Sequence, residues 1–199
     1  MVIGEIIKFG QYEWRILEVK EDRLLLITEE IIEKRPYHPV YEEVTWENSE
    51  IRNYLNHDFY YRFSNEEQSR IIKVVNENKS NPWYETDGGN DTEDNIFLLD
   101  IFDVVCKYFG DSSNRLYNRS PKEKYWFGKK DENNIKRLSK YRGYNYWWWI
   151  RTPGRNLKTA VYIHGNPIGC VGINGNNVFF SSYAEERHGG IRPALWIRI

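Results

Sequence analysis

Residues 147–154 read Trp147-Trp148-Trp149-Ile150-Arg151-Thr152-Pro153-Gly154. Four bulky apolar residues in succession leave no polar face, so the run predicts a short strand buried on both sides. Trp148 and Ile150 fall on one face, Trp147 and Trp149 on the other. Thr152-Pro153-Gly154 predicts the turn that closes the strand. Downstream, Ala160-Val161-Tyr162-Ile163, Ile168 to Ile173, Val178-Phe179-Phe180 and Ile191 to Ile199 read as further short strands. Asn174-Gly175-Asn176 between two of them is a hairpin signal.

The other end of the chain is also strand-like. Tyr12, Trp14 and Ile16 keep a period of two, and Leu24-Leu25-Leu26-Ile27 continues as a more buried strand, so 3–28 predicts a three-stranded meander. The middle, 29–143, reads as helical and loop-rich. Glu29 to Arg35 predicts one short turn or helix, stopped by Pro36 and Pro39. Ser49 caps a helix carrying Ile51, Tyr54 and Leu55. Ser64-Asn65-Glu66-Glu67 fits a capping box, with Ile71 and Ile72 on the apolar face that follows. Residues 76–95 predict a long loop and Ile96-Phe97-Leu98-Leu99 a buried strand. Asp100 caps a helix through Phe102, Val105, Cys106 and Phe109, ended by Gly110. Ile135 and Leu138 place a last helix in 131–140. Without a repeat or a low-complexity linker, the pattern predicts one α+β domain over 1–199, the strands of both ends sharing a sheet.

Composition excludes several classes. Aromatic residues are 16% of the 199-residue chain, which rules out disorder throughout. The 28 basic and 29 acidic side chains rule out a strong non-specific polyanion binder. No apolar run is long enough to span a bilayer. The N-terminus has no basic region ahead of an apolar stretch, so a cytoplasmic location is expected. Cys106 and Cys170, far apart in sequence, read as reduced thiols.

Several motifs carry a family resemblance. Gly10-Gln11-Tyr12-Glu13-Trp14-Arg15-Ile16-Leu17, Thr45-Trp46-Glu47-Asn48, Asn95-Ile96-Phe97-Leu98-Leu99, Trp148-Trp149-Ile150-Arg151-Thr152-Pro153-Gly154 and Ile191-Arg192-Pro193-Ala194-Leu195-Trp196 resemble, in order, a bacterial domain family of unknown function. The Trp-rich strand, the Arg-Thr-Pro-Gly turn, the glycine-punctuated strands and the closing Arg-Pro-Ala of 144–199 also resemble the C-type-lectin-like fold, which includes the formylglycine-generating enzymes. That resemblance implies a lectin-like core with helical insertions. It does not choose among sugar binding, protein binding and oxidation.

Little points to a reaction. The close cysteine pair of the oxidases is missing, and His38, His57, His164 and His188 are scattered without ligand spacing. There is no Gly-x-Ser-x-Gly and no phosphate loop. Asp87, Asp91 and Asp94, in an acidic stretch at 85–94, supply hard oxygens suited to Ca²⁺. The competing reading is a loop capped by its own Asp and Thr side chains. Trp83, Tyr84, Tyr144, Tyr146 and Tyr183 sit in polar loops where a ring has least structural reason to be, which marks them as ligand-binding candidates. Arg151 and Arg192 read as internal donors to carbonyls. Segment 115–142, basic and interleaved with aromatics, is the candidate for nucleic acid. The expected function is a non-catalytic recognition module for a protein or glycan. The alternatives are an enzyme with a carboxylate or metal site, or a nucleic-acid-contacting subunit.

Overall fold

Two five-stranded sheets carry the chain, and both take strands from its two ends. The computed structural model describes residues 1–119, 131–166, 169–179 and 188–199. The N-terminal meander is β1 (Ile6–Phe9), β2 (Tyr12–Val19) and β3 (Arg23–Thr28). It is followed by β4 (Glu33–Arg35), the helices α1 (Glu50–Tyr54) and α2 (Asn65–Arg70), and β5 (Ile71–Ile72). The strands β6 (Val74–Asn76) and β7 (Thr92–Asp94) form a two-stranded ladder, and α3 (Ser113–Tyr117) follows. A small hairpin, β8 (Lys140–Tyr141) and β9 (Tyr144–Asn145), leads into β10 (Trp148–Pro153) and β11 (Thr159–Ile163). The last strands are β12 (Val171–Asn177), β13 (Gly189–Ile191) and β14 (Ala194–Arg198).

The first sheet has the order β1-β2-β3-β14-β5 and the second β12-β11-β10-β13-β4. The expected shared sheet is β14 against β3, antiparallel from Ala194↔Ile27 to Arg198↔Arg23. The chain passes between sheets twice at one corner, through residues 29–32 after β3 and through Arg192-Pro193 before β14. Arg192 staples this corner. Its Nε donates to the Thr28 carbonyl at 2.8 Å and its Nη2 to that of Glu29 at 3.3 Å. Burial of its guanidinium pushes the pKa down to about 10.

Apolar side chains of both sheets and of the intervening helices meet in one core. Each buried indole finds an acceptor: Trp14 on Phe9 O, Trp46 on Asp94 Oδ2, Trp148 on Arg137 O and Trp149 on Arg35 O, all within 3.1 Å. Satisfying the N–H is what makes so many tryptophans tolerable inside. Among the described residues, no helix is long and apolar enough to cross a membrane.

Several local expectations change. Residues 33–35 pair with β13 as a strand, because β13 needs a partner on its outer side and three extended residues provide one. Ile71 and Ile72 leave the capping-box helix and extend as β5 beside β14. Residues 96–99 are buried but reduce to a single bridge, Phe97↔Ala194. The Asp100-capped helix unwinds into a π-helical turn over Asp103–Lys107, which buries Val104 beside the expected Val105 and leaves Phe102 and Cys106 half-buried. The 131–140 helix is a 3₁₀ segment, Glu132–Arg137, that buries Arg137 and leaves Ile135 exposed. Thr152 and Pro153 continue β10 instead of ending it. Asn174-Gly175-Asn176 is not a hairpin but a bulge within β12. There Gly175 takes φ +79° and the ladder shifts register between Ala160 and Tyr162.

Candidate functional site

The three acidic candidates do not converge. Asp94 is fully buried, and both its oxygens are taken by donors. Oδ1 accepts from Arg52 Nε at 2.6 Å, and Oδ2 from Trp46 Nε1, Asn76 Nδ2 and Thr92 Oγ1 at 3.1, 2.9 and 2.8 Å. This carboxylate ties α1 to the β6–β7 ladder and has no lone pair to offer a cation. Asp91 accepts from Asn78 N and Asp87 from Gly89 N, as a self-capping loop requires. Among the described residues, no three His, Cys, Asp or Glu side chains gather closely enough to hold a metal.

The aromatic candidates divide. Trp83 packs against the core and donates Nε1–H to Leu116 O at 2.8 Å, with Arg119 over its ring. Tyr84 lies under the same arginine at 5.3 Å. These two rings fasten the 81–94 loop to α3. Tyr144 is 80% exposed beside the tip of the β8–β9 hairpin, where Arg142 and Gly143 both take positive φ. Tyr183 lies outside the described residues, as do 120–130 of the basic segment. Within the described part of that segment, Arg137 is fully buried against Asp131 at 3.0 Å and cannot meet a nucleic acid.

Tyr146 belongs to a different construction. Its ring stacks on Trp147 at 6.2 Å and 24°, Trp147 meets Tyr162 at 5.4 Å, and Tyr162 meets His164 at 4.6 Å. These four rings line a groove of about 360 Å³ that opens where β9, β10 and β11 approach one another. Gly165 permits the close approach, since a Cβ there would lie 2.5 Å from the Tyr146 backbone. Asn145, Asn166 and Asn176 supply amides, and no charged side chain lines the groove among the described residues. Burial pushes the His164 pKa down, so the ring is neutral at physiological pH.

A second cleft, of about 260 Å³, lies at the far end of β10. Arg151 donates to the Leu98 carbonyl at 2.8 Å and, more weakly, to that of Glu77 at 3.4 Å, as the sequence suggests. It also holds two carboxylates, Asp100 at 3.1 Å and Asp103 at 3.4 Å. Burial, then the Asp100 charge, raise the Asp103 carboxyl to about 6 against the pull of Arg151. At the rim, Lys107 and the Tyr108 hydroxyl donate to Glu18 at 2.9 and 2.6 Å. Burial alone would raise Glu18, yet these hydrogen bonds bring it down to about 2.

With this geometry in view, the model of a family described as a domain of unknown function, DUF6273, matches residues 21–199. The chain belongs to DUF6273. The match contains the whole aromatic groove, and all of the charged cleft but Glu18 and Lys20. No curated protein and no solved structure matches the chain. For this DUF6273 chain, sequence reading singled out Tyr146 but missed Tyr162, His164 and Asn176. Tyr162 sits in an ordinary strand pattern, His164 just past its end and Asn176 in a stretch that reads as a turn, and only the pairing of β11 with β10 and β12 brings them to one place.

Proposed function

We propose that this chain is a recognition module that stacks an uncharged sugar face on the rings of the β9–β10–β11 groove. The carrying observation is the lining itself: four aromatic rings, three amides and no charge among the described residues. Ring faces take the C–H side of a pyranose, while amides donate and accept at its hydroxyls. A lining with no carboxylate among the described residues supports binding without Ca²⁺. A C-type-lectin-like arrangement is the fold reading that goes with it, supported by the terminal strands sharing a sheet and by the Arg192 corner. Cys106, a free thiol, fits a reducing compartment, and the proposal keeps the chain in the cytoplasm.

Titration of the chain with glucose, galactose, mannose and N-acetylglucosamine, and with glucuronate as the charged control, tests this reading. At least one neutral sugar should bind with a Kd near about 1 mM, unchanged by EDTA. Tyr146→Ala should weaken that binding about tenfold, the scale of one ring contact. The reading fails if no neutral sugar binds, if glucuronate binds best, or if EDTA abolishes binding.

A further inference from the structure

The charged cleft at the far end of β10 is separate from the aromatic groove, and its ion pairs do not balance locally. On the floor, two carboxylates share one cation: Asp100 and Asp103 both pair with Arg151, at 3.1 and 3.4 Å. On the rim, two cations share one carboxylate: Lys20 and Lys107 both pair with Glu18, at 3.4 and 2.9 Å. Lys79 and Glu77, also lining, cancel each other at 3.2 Å. The floor therefore carries one negative charge too many and the rim one positive charge too many.

Hydrogen bonding points the same way. Both oxygens of Asp100 are engaged, Oδ1 by Asp103 N at 2.7 Å and Oδ2 by Arg151 Nη2 at 3.1 Å. Asp103 uses only Oδ2, in contacts of 3.2 Å from Asp100 N and 3.4 Å from Arg151 Nη1. Its Oδ1 accepts no hydrogen bond among the described residues, and its side chain is 23% exposed toward the cleft. Arg151, 6% exposed, has an Nε–H with no acceptor. That donor is sealed from the cleft, so the features open to a ligand are the spare acceptor of Asp103 and the excess cation of the rim, which together call for a molecule carrying both a cation and an anion.

We propose that this cleft binds a free α-amino acid, its ammonium on Asp103 and its carboxylate toward Lys20 and Lys107. A volume of about 260 Å³ holds a molecule of that size, and Phe97, Leu99 and Trp196 provide apolar wall for a side chain. A zwitterion cancels both local excesses at once. A simple amine or a simple carboxylate cancels one and leaves the other opposed.

The experiment is a two-dimensional NMR titration of the full chain with each of the common amino acids to about 10 mM, reading the Trp196 indole and the amides of 97–103. Methylamine and acetate serve as half-ligands. At least one amino acid should shift these signals saturably, with each half-ligand about tenfold weaker or more. Asp103→Asn, which keeps the cap to the Asp100 amide, should lose about tenfold in amino-acid affinity. Lys20→Ala should weaken the amino acid but leave methylamine unchanged. The proposal is overturned if no amino acid binds, if methylamine binds as well as the amino acids, or if Asp103→Asn binds undiminished with its fold intact. Neutral sugars should leave these signals still, so failure here and failure at the aromatic groove are separately visible.

Discussion

Asp94 and Asp103 are carboxylates of one type in opposite surroundings, and the surroundings set what each can do. Around Asp94 every neighbour donates, so its charge is held and spent internally. Asp94→Ala leaves the Arg52 guanidinium, an indole N–H, an amide and a hydroxyl without their acceptor. We expect a loss of about 3 kcal/mol in urea unfolding. A loss below about 1 kcal/mol would show that water replaces the carboxylate, contrary to its complete burial. Asp103 is the reverse case. Burial and the neighbouring Asp100 raise its pKa from 3.8 to about 6, with Arg151 and Lys107 opposing. A raised folded pKa means that the folded state holds this proton more tightly. The stabilisation is full below 3.8 and is lost as pH rises through about 6. Asp103→Asn, permanently neutral, should therefore be more stable than the parent near neutral pH, by on the order of 1 kcal/mol, with the gap closing by about pH 4. Unfolding midpoints measured across that range check the sign.

At the scale of elements, local signals that need no distant partner are the ones that read correctly. Ser49 caps α1, and Ser64 with Glu67 makes the reciprocal capping box of α2, at 3.2 and 2.8 Å. The latter helix buries none of its residues, so its cap is tested almost in isolation. Ser64→Ala should cost about 1 kcal/mol and Ser64→Asn should restore most of it, measured by thermal unfolding. Equal stability of all three would mean that β5 pairing alone holds the segment. Signals that depend on a partner read less well. Glu33-Lys34-Arg35 has no strand composition and becomes β4 only because β13 lies beside it. The Asn-Gly-Asn signal is real as backbone chemistry, since Gly175 does take a positive φ. The same freedom serves a bulge here, because β11 continues past that point and keeps β12 beside it.

At the scale of the molecule, the two sheets are joined by a common core and stapled at the Arg192 corner. They should open together. Hydrogen exchange of the Leu26 and Ile150 amides, one in each sheet, should report the same opening free energy; a difference beyond about 1 kcal/mol would show two separately unfolding units. Composition, strand periods and helix caps are properties of neighbours in the chain. By themselves they determined the N-terminal meander, the buried strand from Trp148 onward, the helices capped by Ser49 and Ser64, the inward role of Arg151 and Arg192, and kinship with a family of unknown function. The aromatic groove and the charged cleft were decided only by tertiary structure. Tyr146 and Tyr162 come to one groove through the pairing of β10 with β11, and Glu18 and Asp103 line one cleft although they belong to distant parts of the sequence. Charge balance and ring stacking act over a few ångströms of space, whatever the separation along the sequence, so no local pattern could announce them.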